Sequence, residues 1–205
     1  MPPPPPEPPL SYSTHPSVSP DLQAIPVSEW LIREDYRPCV GVAVLHHGSE
    51  LRVLLVQRAA EEALPNAWEV PGGSAEPTEP NLVTSATREL YEETGLRATA
   101  VVAMLGMYTW TDVNEATGEP LRRRDGSLSR WKKWSFVAEV EGGNEDEAPE
   151  VLLDPAEHQA YVWATEAEVQ ADKSGDIDLV WTSVDQKADV VRSFEIAKSV
   201  AARET

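Results

Sequence analysis

The alternation of apolar and polar positions divides this chain into short blocks. Cys39 to His46 (CVGVAVLH) is a near-continuous apolar run rich in β-branched residues, the pattern of a strand buried on both faces. His47-Gly48-Ser49-Glu50 reads as a turn, and Leu51 to Arg58 (LRVLLVQR) as the returning strand. Adjacent residues on a strand point to opposite faces, so His46 and His47 read as turn residues and not as a shared ligand pair. Ala59 to Ala67 is a loop, and Trp68-Glu69-Val70 leads into Pro71-Gly72-Gly73. From Asn81 the period changes to that of a helix. Asn81 is the expected N-cap, Leu82, Ala86 and Leu90 form an inward stripe, and Gly95 stands where a C-terminus takes the left-handed conformation.

Beyond Gly95, strands are expected over Ala98 to Leu105 and Trp131 to Val140. Between them, Asn114 to Arg130 is polar. Glu141 to Glu150 is an acidic, glycine-containing loop, and Glu157 to Trp163 runs from a loop into a strand. Thr165-Glu166-Ala167-Glu168 has the form of a capping box. Val190, Phe194, Ala197 and Ala201 recur at helical spacing, so a closing amphipathic helix is expected over Asp185 to Ala202. No internal repeat is evident.

Composition divides the chain into two parts. Residues 1–24, opening MPPPPPEPPLSYSTHPSVSP, are proline-rich and poor in apolar residues; disorder with polyproline II character is expected, either as a plain tail or as a ligand for an SH3- or WW-type domain. Removing Met1 to Pro20 is accordingly expected to leave folding and activity nearly unchanged. Trp30, Leu31 and Ile32 suggest the first packed element, and residues 25–205 form a single domain.

With 17 Lys and Arg against 35 Asp and Glu, the formal charge is −18. That balance argues against nucleic acid or an anionic membrane as the main partner. The one cysteine, Cys39, excludes an intramolecular disulfide and any cysteine-based zinc site, and is expected to be a small core residue. With no apolar run long enough to span a bilayer and a proline-rich start in place of a secretory leader, a cytoplasmic protein is expected.

The candidate chemistry lies in Gly72 to Leu96, GGSAEPTEPNLVTSATRELYEETGL. On a helix Glu89, Glu92 and Glu93 project together, and like charges at that spacing cost roughly 0.2–0.5 kcal/mol per pair. A hard divalent cation with oxygen ligands, Mg²⁺ or Mn²⁺, is the natural compensation. The glycines upstream permit a close backbone approach. Gly73 and Glu79, followed by Arg88, Glu89, Leu90, Glu92, Glu93, Gly95 and Leu96, resemble the signature of the Nudix hydrolases, G-x5-E-x7-R-E-U-x-E-E-x-G-U, where U is a bulky aliphatic residue. One departure stands out: eight residues, not seven, separate Glu79 from Arg88, and the extra residue is placed in the loop.

The resemblance implies an α/β/α sandwich around a mixed sheet and hydrolysis of a diphosphate linkage in a nucleoside diphosphate derivative or another organic diphosphate. It implies metal ligands at the Gly73 carbonyl and the carboxylates of Glu89, Glu92 and Glu93. By the same resemblance Glu157, shortly before the strand ending in Trp163, is the candidate for a further ligand or the base, and Arg88 is expected to steady the neighbouring carboxylates and loop. Arg58, Arg122, Arg124 and Trp134 are candidates for substrate binding. Six basic residues fall within Arg122 to Lys133, either as a solvated hairpin or as a phosphate-steering patch. A small-molecule diphosphate is the expected partner, with a homodimer allowed. Secondary motifs of the coenzyme A, NADH and ADP-ribose subfamilies are absent, and Cys39 lacks the context of the isoprenoid isomerases. The alternative is a Nudix-fold binding or regulatory module without turnover; such modules usually lose signature acids, and this chain keeps all of them.

Overall fold

A computed structural model describes residues 11–201 apart from Glu115 and Glu145. The elements, in chain order, are β1 (Ser13–Thr14), α1 (Pro20–Ala24), α2 (Val27–Arg33), β2 (Arg37–His47), β3 (Leu51–Arg58), β4 (Trp68–Glu69), α3 (Leu82–Thr94), β5 (Ala98–Thr111), β6 (Arg130–Val140), β7 (His158–Thr165), α4 (Glu166–Gln170), β8 (Lys173–Ser174), β9 (Ile177–Asp178) and α5 (Val184–Ala201). The main sheet has the order β1-β5-β6-β2-β3-β4, with β7 on the other edge of β3. It is mixed: β2 runs parallel to β6, while β5–β6, β2–β3 and β3–β7 are antiparallel.

Strand parity separates the core into two layers. Val40, Val42 and Val44 of β2 face Leu82, Val83, Ala86 and Leu90 of α3. Ala43 joins Val53, Leu55 and Val137 against Val190 and Phe194 of α5. This is the expected sandwich. Asn81 caps α3, its side chain accepting from the Thr84 N–H at 2.9 Å, and Gly95 ends it at φ 70°. Thr165 and Glu168 form the reciprocal capping box at α4.

β2 and β3 pair only near their hairpin, at Leu45–His47 with Leu51–Val53, and then diverge. The gap is filled by the glycine loop: Val42 N–H donates to Pro71 O at 2.8 Å, and Val40 N–H to Gly73 O at 2.8 Å. Gly72, at φ 154°, is required here, since a Cβ would lie 2.2 Å from Val40 O.

The expected tail over residues 1–24 needs correction from Ser11 onward; Met1 to Leu10 lie outside the described residues. β1 pairs in parallel with β5 at Ala100 and Val101, and Val18 and Leu22 are buried in the α3 layer. A few well-placed apolar side chains and a free strand edge hold a segment whose average composition reads as unstructured. Two further expectations fail nearby. Leu31 and Ile32 are exposed, and it is Val27 and Trp30 of α2 that pack inward. Cys39 is only partly buried and borders the site described next.

Candidate active site

α3 carries its acids deeper than an amphipathic pattern suggests. Glu89 and Glu93 are 8 % and 2 % exposed, whereas the Glu92 side chain is half-exposed. The helix is buried on almost every side because residues 152–154 close over its C-terminal end: Leu152 N–H donates to Thr94 O at 2.8 Å and Asp154 N–H to Glu93 O at 3.2 Å. The glycine loop closes the other side. Gly72 N–H donates to Glu93 Oε2 at 2.7 Å, and a Cβ on Gly73 would sit 2.9 Å from the Glu89 carboxyl.

Arg88 holds this arrangement together. Its Nε donates to Glu79 Oε1 at 2.7 Å, and its terminal nitrogens reach Glu92 at 2.5 Å, Glu89 at 2.9 Å and Ser74 O at 3.1 Å. Burial works against the charged guanidinium, but Glu79, Glu89 and Glu92 outweigh it and raise its pKa. Glu79, itself buried, also accepts from Ser85 Oγ and Glu76 N–H, both at 2.6 Å. The extra residue between Glu79 and Arg88 is thus absorbed in the turn before α3.

The two buried carboxylates of α3 resist ionisation. Burial, with smaller contributions from Glu92 and Glu157, lifts Glu89 to about 7 against the pull of Arg88. Burial next to Glu89 and Glu69 raises Glu93 well above the ordinary carboxylate range, although the Gly72 N–H opposes this. Glu157 is exposed at the rim, its carbonyl held by Ala59 N–H at 2.8 Å, and its charge reaches both carboxylates.

The donors are of the kind a hard cation takes: Glu89 lies against Gly73, Glu92 and Glu93 follow it on α3, Glu157 stands at the rim, and the Gly73 carbonyl, whose one described bond is from Val40, keeps a second lone pair. Among the described residues, however, no three His, Cys, Asp or Glu side chains are gathered tightly enough to hold a metal as they stand. Arg88 and the Gly72 N–H occupy the carboxylates instead, so binding requires them to exchange partners.

The substrate-binding candidates fare differently. Arg58 is committed to Glu69 at 2.5 Å and Glu62 at 3.1 Å. Arg122 caps the Gly126 carbonyl at 2.7 Å in the hairpin, and Arg124 is exposed at its tip. Trp134 is a correction: it is buried in the α3 layer, with its ring 5.2 Å from that of Trp30, and has no face for a ligand. As the residue after Lys133, it points to the opposite side of β6 from the site.

Four residues of the site carried no clear signal in the sequence. Glu69, Lys133 and His158 are buried, and Cys39 lies among them. His158 sits between two acids, Nε2 3.9 Å from Glu69 and Nδ1 4.0 Å from Glu93, and among the described residues neither nitrogen has a hydrogen-bond partner. Lys133 Nζ donates to Gln186 Oε1 at 2.9 Å and lies 3.9 Å from Glu69. Burial opposes its charge, but Tyr108, Glu69, Cys39 and Glu93 outweigh that and raise its pKa. Burial likewise opposes ionisation of Glu69, yet His158, Lys133 and Arg58 hold it below the ordinary range. Burial pushes the Cys39 thiol up to about 11. An acid in the apolar block Trp68-Glu69-Val70, and a lysine sharing strand parity with Ser135 and Val137, are the signals that could have found two of them.

A family model of the NUDIX domain matches residues 35–182. The RNA pyrophosphohydrolase of Agrobacterium fabrum is 30% identical over 139 residues, 62% of this chain and 76% of that protein. The m7GpppN-mRNA hydrolase NUDT17 of Xenopus laevis is 45% identical over 71 residues, 34% of this chain and 24% of that protein. Among solved structures, the NUDIX domain of Shewanella oneidensis NrtR complexed with ADP ribose superposes with a TM-score of 0.54 at 18% identity, over 83% of this chain and 97% of that one. The MutT protein of Methanosarcina mazei superposes at 0.52 and 20% identity, over 80% and 95%. This chain belongs to the Nudix family and is a Nudix hydrolase.

Proposed function

We propose that this protein hydrolyses a diphosphate linkage in a nucleoside diphosphate derivative or another organic diphosphate, with Mg²⁺ or Mn²⁺ held by Glu89, Glu92, Glu93, Glu157 and the Gly73 carbonyl. The observation that carries this reading is the burial of both Glu89 and Glu93 on one helix, which makes each harder to ionise, Glu93 the more so for the charge of Glu89. Such a pair is costly in a resting protein and becomes favourable around a cation. A bound divalent ion supplies neutralisation of phosphate oxygens and a more acidic water. The chain's own part is to hold the acids: Gly72 N–H orients Glu93, Arg88 orients Glu89 and ties the loop to α3 through Ser74 and Glu79. One of the carboxylates of α3, or Glu157 at the rim, takes the proton from the attacking water.

The test is a panel of diphosphate compounds incubated with Mg²⁺ or Mn²⁺, with products followed by chromatography. The names of the relatives place an RNA and a capped mRNA on that panel, against the expectation from a charge of −18 that nucleic acid is not the partner. Phosphate-bearing products that vanish with chelator support the reading. Tight binding of a diphosphate without turnover would favour the regulatory module instead.

A further inference from the structure

Seven tryptophans are a large number for this chain, and two of them are neither core nor randomly placed. Trp110 of β5 pairs in register with Trp131 of β6, which pairs with Arg37 of β2. Cross-strand partners share a face, so these three form a row across the sheet. The indoles are nearly parallel, 11° apart with centroids at 5.9 Å, and the Arg37 guanidinium lies 4.4 Å from the Trp131 ring. A single carboxylate locks both rings: Asp112 accepts from Trp110 Nε1 at 3.2 Å and from Trp131 Nε1 at 2.8 Å, and Ser129 Oγ donates to it at 2.6 Å.

We propose that Trp110 is the stacking surface for the nucleobase of a nucleotide substrate, an assignment that rests on the diphosphatase reading and narrows its substrate class. Trp131 is sandwiched between Arg37 and Trp110, so Trp110 ends the row. β1 pairs with β5 only at Ala100 and Val101, and among the described residues no strand flanks the outer edge of β5, opposite β6, at Trp110. Trp110 accordingly stays 37 % exposed, whereas the core indoles of Trp68 and Trp134 fall to 1 % and 4 %. Locking an exposed indole in place removes the entropy cost of ordering it around a ligand.

The row also leads to the carboxylates. Tyr108, two residues before Trp110 with its ring 5.9 Å away, pairs with Lys133 one strand repeat, about 7 Å, along the same face. Lys133 lies 3.9 Å from Glu69, beside His158 and Glu93. A base on Trp110 therefore directs its phosphates along this face toward the acids. Aromatic stacking accepts any base, and Arg37 adds positive charge on the same face of an otherwise acidic protein.

The experiment titrates the full chain with AMP, GMP and ribose 5-phosphate in chelator, by calorimetry. Both nucleotides are expected to bind more tightly than ribose 5-phosphate. Trp110→Ala should weaken nucleotide binding about tenfold, in the range measured for single base–aromatic stacks. Trp110→Phe should restore most of it, which a merely unfolded alanine variant could not explain. Met107→Ala, an exposed side chain on the other face of β5, should change nothing. Equal affinity for AMP and ribose 5-phosphate, no nucleotide binding by the wild type, or unchanged binding by Trp110→Ala overturns the assignment. Since neither metal nor turnover is involved, failure of diphosphate hydrolysis leaves this result standing, and loss of the stacking site leaves the hydrolase reading standing.

Discussion

Arg88 Nε meets Glu79 Oε1 at 2.7 Å, joining the two halves of the signature across a loop one residue longer than the family pattern. Removing one member of a largely buried ion pair leaves the other uncompensated, at a cost of about 3–5 kcal/mol. Arg88→Ala should therefore lower the urea midpoint strongly and abolish turnover. Arg88→Lys should recover part of the stability and little activity, because an ammonium cannot serve three carboxylates and the Ser74 carbonyl at once. Equal stability of Arg88→Ala and wild type would remove this pair from the fold's support.

Glu92 and Glu93 should respond differently to replacement by glutamine. Glu93 is buried and resists ionisation, so Glu93→Gln should leave the metal-free protein as stable as before or more so. Turnover should fall about a hundredfold, which corresponds to roughly 2.7 kcal/mol of transition-state stabilisation. Glu92→Gln removes a half-exposed partner of Arg88 and should cost no more than about 0.5 kcal/mol in stability. Melting temperature and turnover, measured on both variants at limiting Mg²⁺, decide the matter; full activity in both would place the metal elsewhere.

The pH dependence of the metal-free protein follows from Glu89. Its folded pKa, about 7, lies above the ordinary 4.5, so between these values the folded state holds more protons than the unfolded one. Stability contributed by this group is present below pH 4.5 and is lost as pH rises through 7, by an amount on the order of 3 kcal/mol. Glu93 acts in the same direction. Mg²⁺ should restore the loss, so its stabilising effect on melting temperature should be larger at pH 8 than at pH 5.5. An equal metal effect at both values would contradict the assignment.

Deleting Met1 to Pro20, neutral by composition, is expected to destabilise the domain. The deletion removes β1, the fully buried Val18 and the 2.9 Å bond between Tyr12 Oη and Thr84 Oγ1. Burial of one such side chain contributes about 1.5–3 kcal/mol, and a fall of several degrees in melting temperature should follow. An unchanged transition would return the segment to the role of a tail.

The hairpin arginines divide by their exposure. Arg123 is half-buried and donates to Arg130 O at 3.0 Å, while Arg122, which donates to Gly126 O at 2.7 Å, and Arg124 are exposed. Replacing Arg122 and Arg124 with Ser should raise KM for an anionic substrate at low ionic strength and leave kcat nearly constant, since exposed charges act through screened attraction. An unchanged KM would mark them as solvated loop charges.

Features set by local spacing were legible in the chain. The caps at Asn81, Gly95 and Thr165, the strand blocks around Val42 and Leu54, and the signature from Gly73 to Leu96 follow from periodicity and backbone preference, which act over a few residues. The family follows from them as well. How deep each charge lies, and what faces it, emerges only on folding. Glu92 and Glu93 are neighbours in the chain, yet one is half-exposed on Arg88 and the other is sealed under Gly72 and Asp154. Lys133 becomes a buried cation because β2, β5 and α5 close around it, and Trp110 becomes a locked, exposed platform because Trp131 and Asp112 arrive from other parts of the chain. Ionisation and stacking depend on desolvation and on partners distant in sequence, and those exist only once the sheet is assembled.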